Sequence, residues 1–92
     1  MGKKPHPADI AAEEQMIAAI RAADHFMASI FIGAGQYEKR TGETLKEAIV
    51  KAKLLMSSRR FNARPIYYAV AKDGRATMLT LALIERLTGW KV

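Results

Sequence analysis

Asp73-Gly74 is the feature that most limits how this chain can fold. It lies between two β-capable runs, Arg64-Pro65-Ile66-Tyr67-Tyr68-Ala69-Val70 before it and Ala76-Thr77-Met78-Leu79 after it. Asp-Gly suits a two-residue type I′ loop, because both central residues take positive φ. With Asp73 and Gly74 as that loop, Lys72 faces Arg75, Val70 lies opposite Thr77, Tyr68 opposite Leu79 and Ile66 opposite Leu81. Side chains alternate along a strand, so Ile66, Tyr68, Val70 and Leu79 are expected on one face, as half of a hydrophobic core.

The rest of the chain supplies what that hairpin packs against. Pro7 is a favoured first-turn residue, and Asp9, Glu13 and Glu14 suit the positive end of a helix dipole. A first helix is therefore expected from about Pro7, with Ile10, Met16, Ile17 and Ile20 on its apolar side and many alanines supporting it. Residues 24–32 fit a helix continuation or a strand. Ser29-Ile30-Phe31-Ile32 is β-branched and aromatic, which favours a strand from Phe26. Phe26, Ala28, Ile30 and Ile32 then face one way, and Met27, Ser29 and Phe31 the other. Gly33-Ala34-Gly35-Gln36 reads as a turn, and Tyr37-Glu38-Lys39-Arg40-Thr41 as a charged edge strand.

Thr44-Leu45-Lys46-Glu47 is a capping box, in which Thr44 caps the third helical N–H and Glu47 reaches back. The helix it opens carries Leu45, Ala48, Ile49, Ala52, Leu55 and Met56 at helical spacing. Glu47 and Lys51 stand as a favourable i,i+4 pair. Val50 and Leu54 lie opposite the main stripe, so they are expected to meet a second surface, either the first helix or another copy of the protein. Ser57 to Arg64 reads as a basic loop. After the hairpin, Thr80 is a plausible cap for a last helix over 81–87, with Gly89 in the αL position and Trp90 folding back on Ile84.

The expected fold is thus a small single α+β domain: helix, two strands, helix, β-hairpin, helix, with an antiparallel sheet covered by helices on one face. Its expected bounds are 8–92, behind a flexible basic arm at residues 1–7. The 92 residues suit one domain with a modest core. The strand from Phe26, apolar on both sides, is expected at the centre of the sheet or at a subunit contact.

The chain has no cysteine, which removes disulfides, thiolate metal sites and thiol nucleophiles and fits a cytoplasmic setting. The first seven residues are polar with no apolar segment directly behind them, so no leader is expected. The longest apolar run is too short to span a bilayer, so no membrane partner is expected. The two histidines, His6 and His25, have no metal-ligand spacing, and neither a metal nor another cofactor is expected. Gly33-Ala34-Gly35 lacks the third glycine and helix start of a dinucleotide site. Asp24-His25 is an acid–base pair in composition only, since adjacent residues rarely converge on one substrate atom. Ser29, Ser57 and Ser58 sit in no nucleophile motif. A non-enzymatic protein is expected.

Fifteen basic residues against nine acidic ones give a net charge of +6, which favours a polyanionic partner. Arg59, Arg60, Phe61 and Arg64 form the densest basic group. Guanidinium groups fork onto phosphates and an aromatic ring offers a stacking face. Lys72 and Arg75 flank the expected hairpin tip, and Lys39-Arg40, Lys46 and Lys53 add to the field. The same residues also suit duller duties: Arg59 and Arg60 complement a helix C-terminus, and Phe61 suits the core. DNA or RNA binding through these residues is one expectation. A homodimer or protein-interaction module using Val50, Leu54 and the spare sheet face is the other.

From Phe26 to Met56, the strand–Gly turn–strand–Thr-Leu-x-Glu-Ala helix pattern resembles the strand–strand–helix unit of AP2-type and integrase arm-type DNA-binding domains. That resemblance implies DNA contact through polar, basic strand residues. Gly35-Gln36-Tyr37, Thr44-Leu45-Lys46-Glu47-Ala48, Ile66-Tyr67-Tyr68-Ala69-Val70 and Asp73-Gly74-Arg75 together are similar to a group of small uncharacterised bacterial α+β proteins. This second resemblance implies the fold and a cytoplasmic setting, and no activity.

Overall fold

The computed structural model describes residues 7–59 and 64–90. Three helices and four strands follow in the order α1 (Pro7–Arg21), β1 (His25–Gly33), β2 (Gln36–Gly42), α2 (Leu45–Arg59), β3 (Ile66–Val70), β4 (Ala76–Leu79) and α3 (Leu81–Thr88). The strands form one antiparallel sheet in the order β2-β1-β3-β4. Residues 24–32 are thus mainly strand, and the strand that is apolar on both sides is central. The charged strand is an edge. The arm expected at residues 1–7 lies outside the described residues, except for Pro7, which opens α1.

α2 lies over β1 and β2, and α1 over β3 and β4. One cluster joins the covered sheet face to the helices: Phe26, Ala28, Ile30, Tyr67, Ala69 and Leu79 from the strands, five α2 residues from Leu45 to Leu55, and Ile84 of α3. Met16, Ala19 and Ile20 of α1 and Trp90 pack against it. Ile30, Ile49 and Ile84 are fully buried, each worth roughly 1.5–3 kcal/mol relative to exposure. Burial also pushes the Tyr67 phenol up to about 12, since the charged form is disfavoured away from water. Ile10, expected inside, is exposed.

The helix ends follow the sequence closely. Thr44 Oγ1 accepts from the Glu47 N–H at 3.1 Å, while Glu47 Oε2 accepts from the Glu43 N–H at 3.0 Å, one residue earlier than a standard box. Lys51, expected to pair with Glu47, is directed elsewhere. Lys51 Nζ instead donates to the Thr41 carbonyl of the edge strand at 2.7 Å. Ser57 to Arg59, expected in a loop, continue α2, and Ser58 Oγ donates to the Leu55 carbonyl. Thr80 Oγ1 accepts from the Leu83 N–H, and Gly89 takes φ 74° with its N–H on the Glu85 carbonyl. Trp90 packs on the cluster that contains Ile84, with Lys46 Nζ 5.1 Å from its ring centroid.

The hairpin register is the main correction. Its strands pair Val70 with Ala76, Ala69 with Thr77, Tyr68 with Met78 and Tyr67 with Leu79. The Ala71 N–H donates to the Arg75 carbonyl and the Gly74 N–H to the Ala71 carbonyl, so the loop is Lys72-Asp73-Gly74. Only Gly74 has positive φ there, at 88°. That is the three-residue loop with a left-handed glycine, not the two-residue type I′ loop. Asp73 Oδ1 helps by accepting from the Arg75 N–H. One residue of slip turns every β3 side chain over, while Leu79 of β4 stays on the core face as expected. Tyr67, Ala69 and Leu79 therefore face the helices, while Ile66 and Tyr68 face the other way. Size matching accounts for the choice: the bulky Tyr67 lies beside Ala28 on β1. Meanwhile both central residues of the β1–β2 turn, Ala34 at φ 53° and Gly35 at φ 70°, have the positive φ of a primed turn.

Candidate nucleic-acid interface

Because the helices all join the cluster on one face, no described helix covers the opposite sheet face, which is open around its exposed side chains, with Ser29 and Val70 buried among them. Strand alternation and pairing put His25, Met27, Ser29 and Phe31 of β1 on it, with Tyr37, Lys39 and Thr41 of β2, Ile66, Tyr68 and Val70 of β3, and Ala76 and Met78 of β4. Met78 is 59% exposed, Tyr37 55%, Phe31 42% and Ile66 38%. Large apolar side chains grouped on an uncovered face mark an interaction surface rather than scattered exposure. Phe31 and Tyr37 pair across the strands edge-on, with centroids 5.3 Å apart and planes at 61°.

Charge divides between the two faces. None of the strand residues named above on the open face is acidic. Glu38, the acidic residue within the strands, points to the helix side, where it pairs with Arg40 at 3.2 Å. Lys39 is exposed on the open face, opposite Ser29. The adjacent residues Lys39 and Arg40 thus serve different faces. Arg64 precedes β3 and is exposed, two residues before Ile66.

The structure divides the basic residues expected to form a site. Lys72 and Arg75 are exposed on either side of Asp73-Gly74, past the Val70 end of β3. Arg64 lies before its other end, so eight residue steps at about 3.3 Å put it some 26 Å from Lys72. These residues flank the sheet and do not form one patch. Arg59 closes α2, and Arg60 and Phe61 lie outside the described residues. Val50 and Leu54 lie on the outer side of α2, 45% and 65% exposed, so the first helix, one of the two surfaces expected to meet them, packs over β3 and β4 instead. Beside Leu54, an open groove of about 680 Å³ is lined by Arg40, Lys51, Leu54, Leu55 and Ser58. His25 and Asp24 pair at 3.0 Å away from that groove. Among the described residues no three metal-ligating side chains come together.

Sequence reasoning missed the aromatic members of the open face, Phe31, Tyr37 and Tyr68, as a group. Phe31 was assignable to the side away from the core. Tyr68 was not, because its face depends on the hairpin register. No described helix is long and apolar enough to cross a membrane. Comparison with protein-family models, curated proteins and solved structures finds no match to this chain.

Proposed function

We propose that this is a small, non-enzymatic, cytoplasmic nucleic-acid-binding or regulatory protein that presents the open sheet face to nucleic acid. The observation that carries this reading is the composition of that face. Its strand residues are rich in aromatic side chains, include the exposed Lys39 and include no carboxylate, with Asp24 bonded to His25 at its border, in a protein of net charge +6. Lys39, Arg64, Lys72 and Arg75 supply phosphate contacts around it, and Arg59, Arg60 and Phe61 precede Arg64 in the sequence as further candidates. Phosphate contact is salt-dependent because each one releases condensed counterions. Binding to mixed-sequence nucleic acid is therefore expected to weaken steeply from low to moderate salt. Lys39→Gln and Arg64→Gln should each lower affinity and reduce the log–log salt slope by about one. No binding to either DNA or RNA at low salt would overturn the proposal.

A second reading rests on a different surface. Val50 and Leu54 offer an apolar stripe on the outer side of α2, which suits a homodimer or another protein partner. It predicts a doubled mass that Leu54→Glu returns to monomer, and a monomeric mass at high concentration removes the homodimer. The two readings are compatible, because such a dimer leaves the sheet face uncovered.

A further inference from the structure

We infer that the ligand of the open face is a single strand, held by stacking of its bases on Phe31, Tyr37 and Tyr68. This rests on the nucleic-acid reading and narrows it. The edge-on contact of Phe31 and Tyr37 leaves ring faces open that a parallel stack would cover. Tyr68 pairs with Met27, four residues along β1 from Phe31. Four steps of about 3.3 Å and one strand spacing of about 4.8 Å put it about 14 Å from Phe31. That leaves room for a base at each end and a phosphate between them, level with Lys39, which faces Ser29 midway along.

An undistorted duplex cannot stack on these rings without unstacking a base step. Its base faces are covered by neighbouring pairs, and its grooves present edges that are read by hydrogen bonds. Edge reading on the open face falls to Lys39, His25 and the tyrosine hydroxyls, since Ser29 is buried and Thr41 stands next to the last residue of β2. Stacking tolerates any base, so the site should bind single strands with little sequence preference.

The test measures anisotropy of labelled 12-nucleotide single strands, DNA and RNA, beside the duplexes of the same sequence, at one low salt concentration. Wild type, Phe31→Leu and Tyr37→Leu are compared, with circular dichroism and light scattering as fold and mass controls. Leucine keeps an apolar side chain at these exposed positions but removes the ring face. The inference expects the single strand to bind at least tenfold tighter than the duplex. Each leucine variant should lose fivefold or more on the single strand, at roughly 1–3 kcal/mol per stacked base, and change duplex binding little. Equal or tighter duplex binding, or leucine variants that bind single strands like wild type, overturns the inference and leaves the nucleic-acid reading standing. No binding of either form defeats both. A wild-type dimer that the leucine substitutions dissociate, without nucleic-acid binding, assigns the face to a second copy and overturns the inference.

Discussion

Lys39 and Arg40 show how much one position along a strand decides. Arg40 lies on the helix side, where Glu38 neutralises it and it borders the groove beside Leu54. Lys39 lies on the open side, among aromatic neighbours. Only the second is placed to meet a ligand on the sheet. Ala34 is another residue whose backbone setting matters more than its side chain. It holds φ 53°, the only non-glycine among the described residues with positive φ, and an alanine there costs about 1–2 kcal/mol. Asparagine visits that region more readily and makes Asn-Gly with Gly35, the favoured type I′ pair. Ala34→Asn should raise stability by about 1 kcal/mol, read as a higher urea midpoint with an unchanged m-value. An unchanged or lower midpoint would show that the turn is not strained.

Among the elements, the junction of β2 with α2 is the tightest. A Cβ on Gly42 would stand 2.7 Å from the Ala48 nitrogen and 2.7 Å from the Glu47 Cβ. The strand therefore meets the capped start of the helix at a distance only glycine allows. Gly42→Ala should cost about 1–3 kcal/mol through this overpacking, seen as a lower melting temperature, and a neutral result would mean that the helix start yields freely. Helix positions were largely legible in the chain, because Thr44, Thr80 and Gly89 mark ends by local chemistry. The β1 strand was legible from its branched residues. The hairpin register was not. Asp-Gly serves either a two-residue or a three-residue loop, and Ile66-Tyr67-Tyr68-Ala69-Val70 is apolar on both faces. Alternation then gives no preference, and the fit of Tyr67 beside Ala28, a contact between distant segments, decides.

For the whole molecule, the three described helices lie on one side of the four-stranded sheet and none of them covers the other face. The charged residues of the candidate site were legible as a list, but not the separation of Arg64 from Lys72. Phe31, Tyr37 and Tyr68 gather only once the register is known. The account comes down to whether the open face meets nucleic acid. Amide chemical-shift mapping of the labelled protein during titration with a short single-stranded oligonucleotide at low salt answers that directly. The predicted result is a set of shifts centred on Ser29, Phe31, Tyr37, Lys39 and Tyr68, with Val50 and Leu54 unmoved. Shifts confined to α2, or none at all, would contradict it.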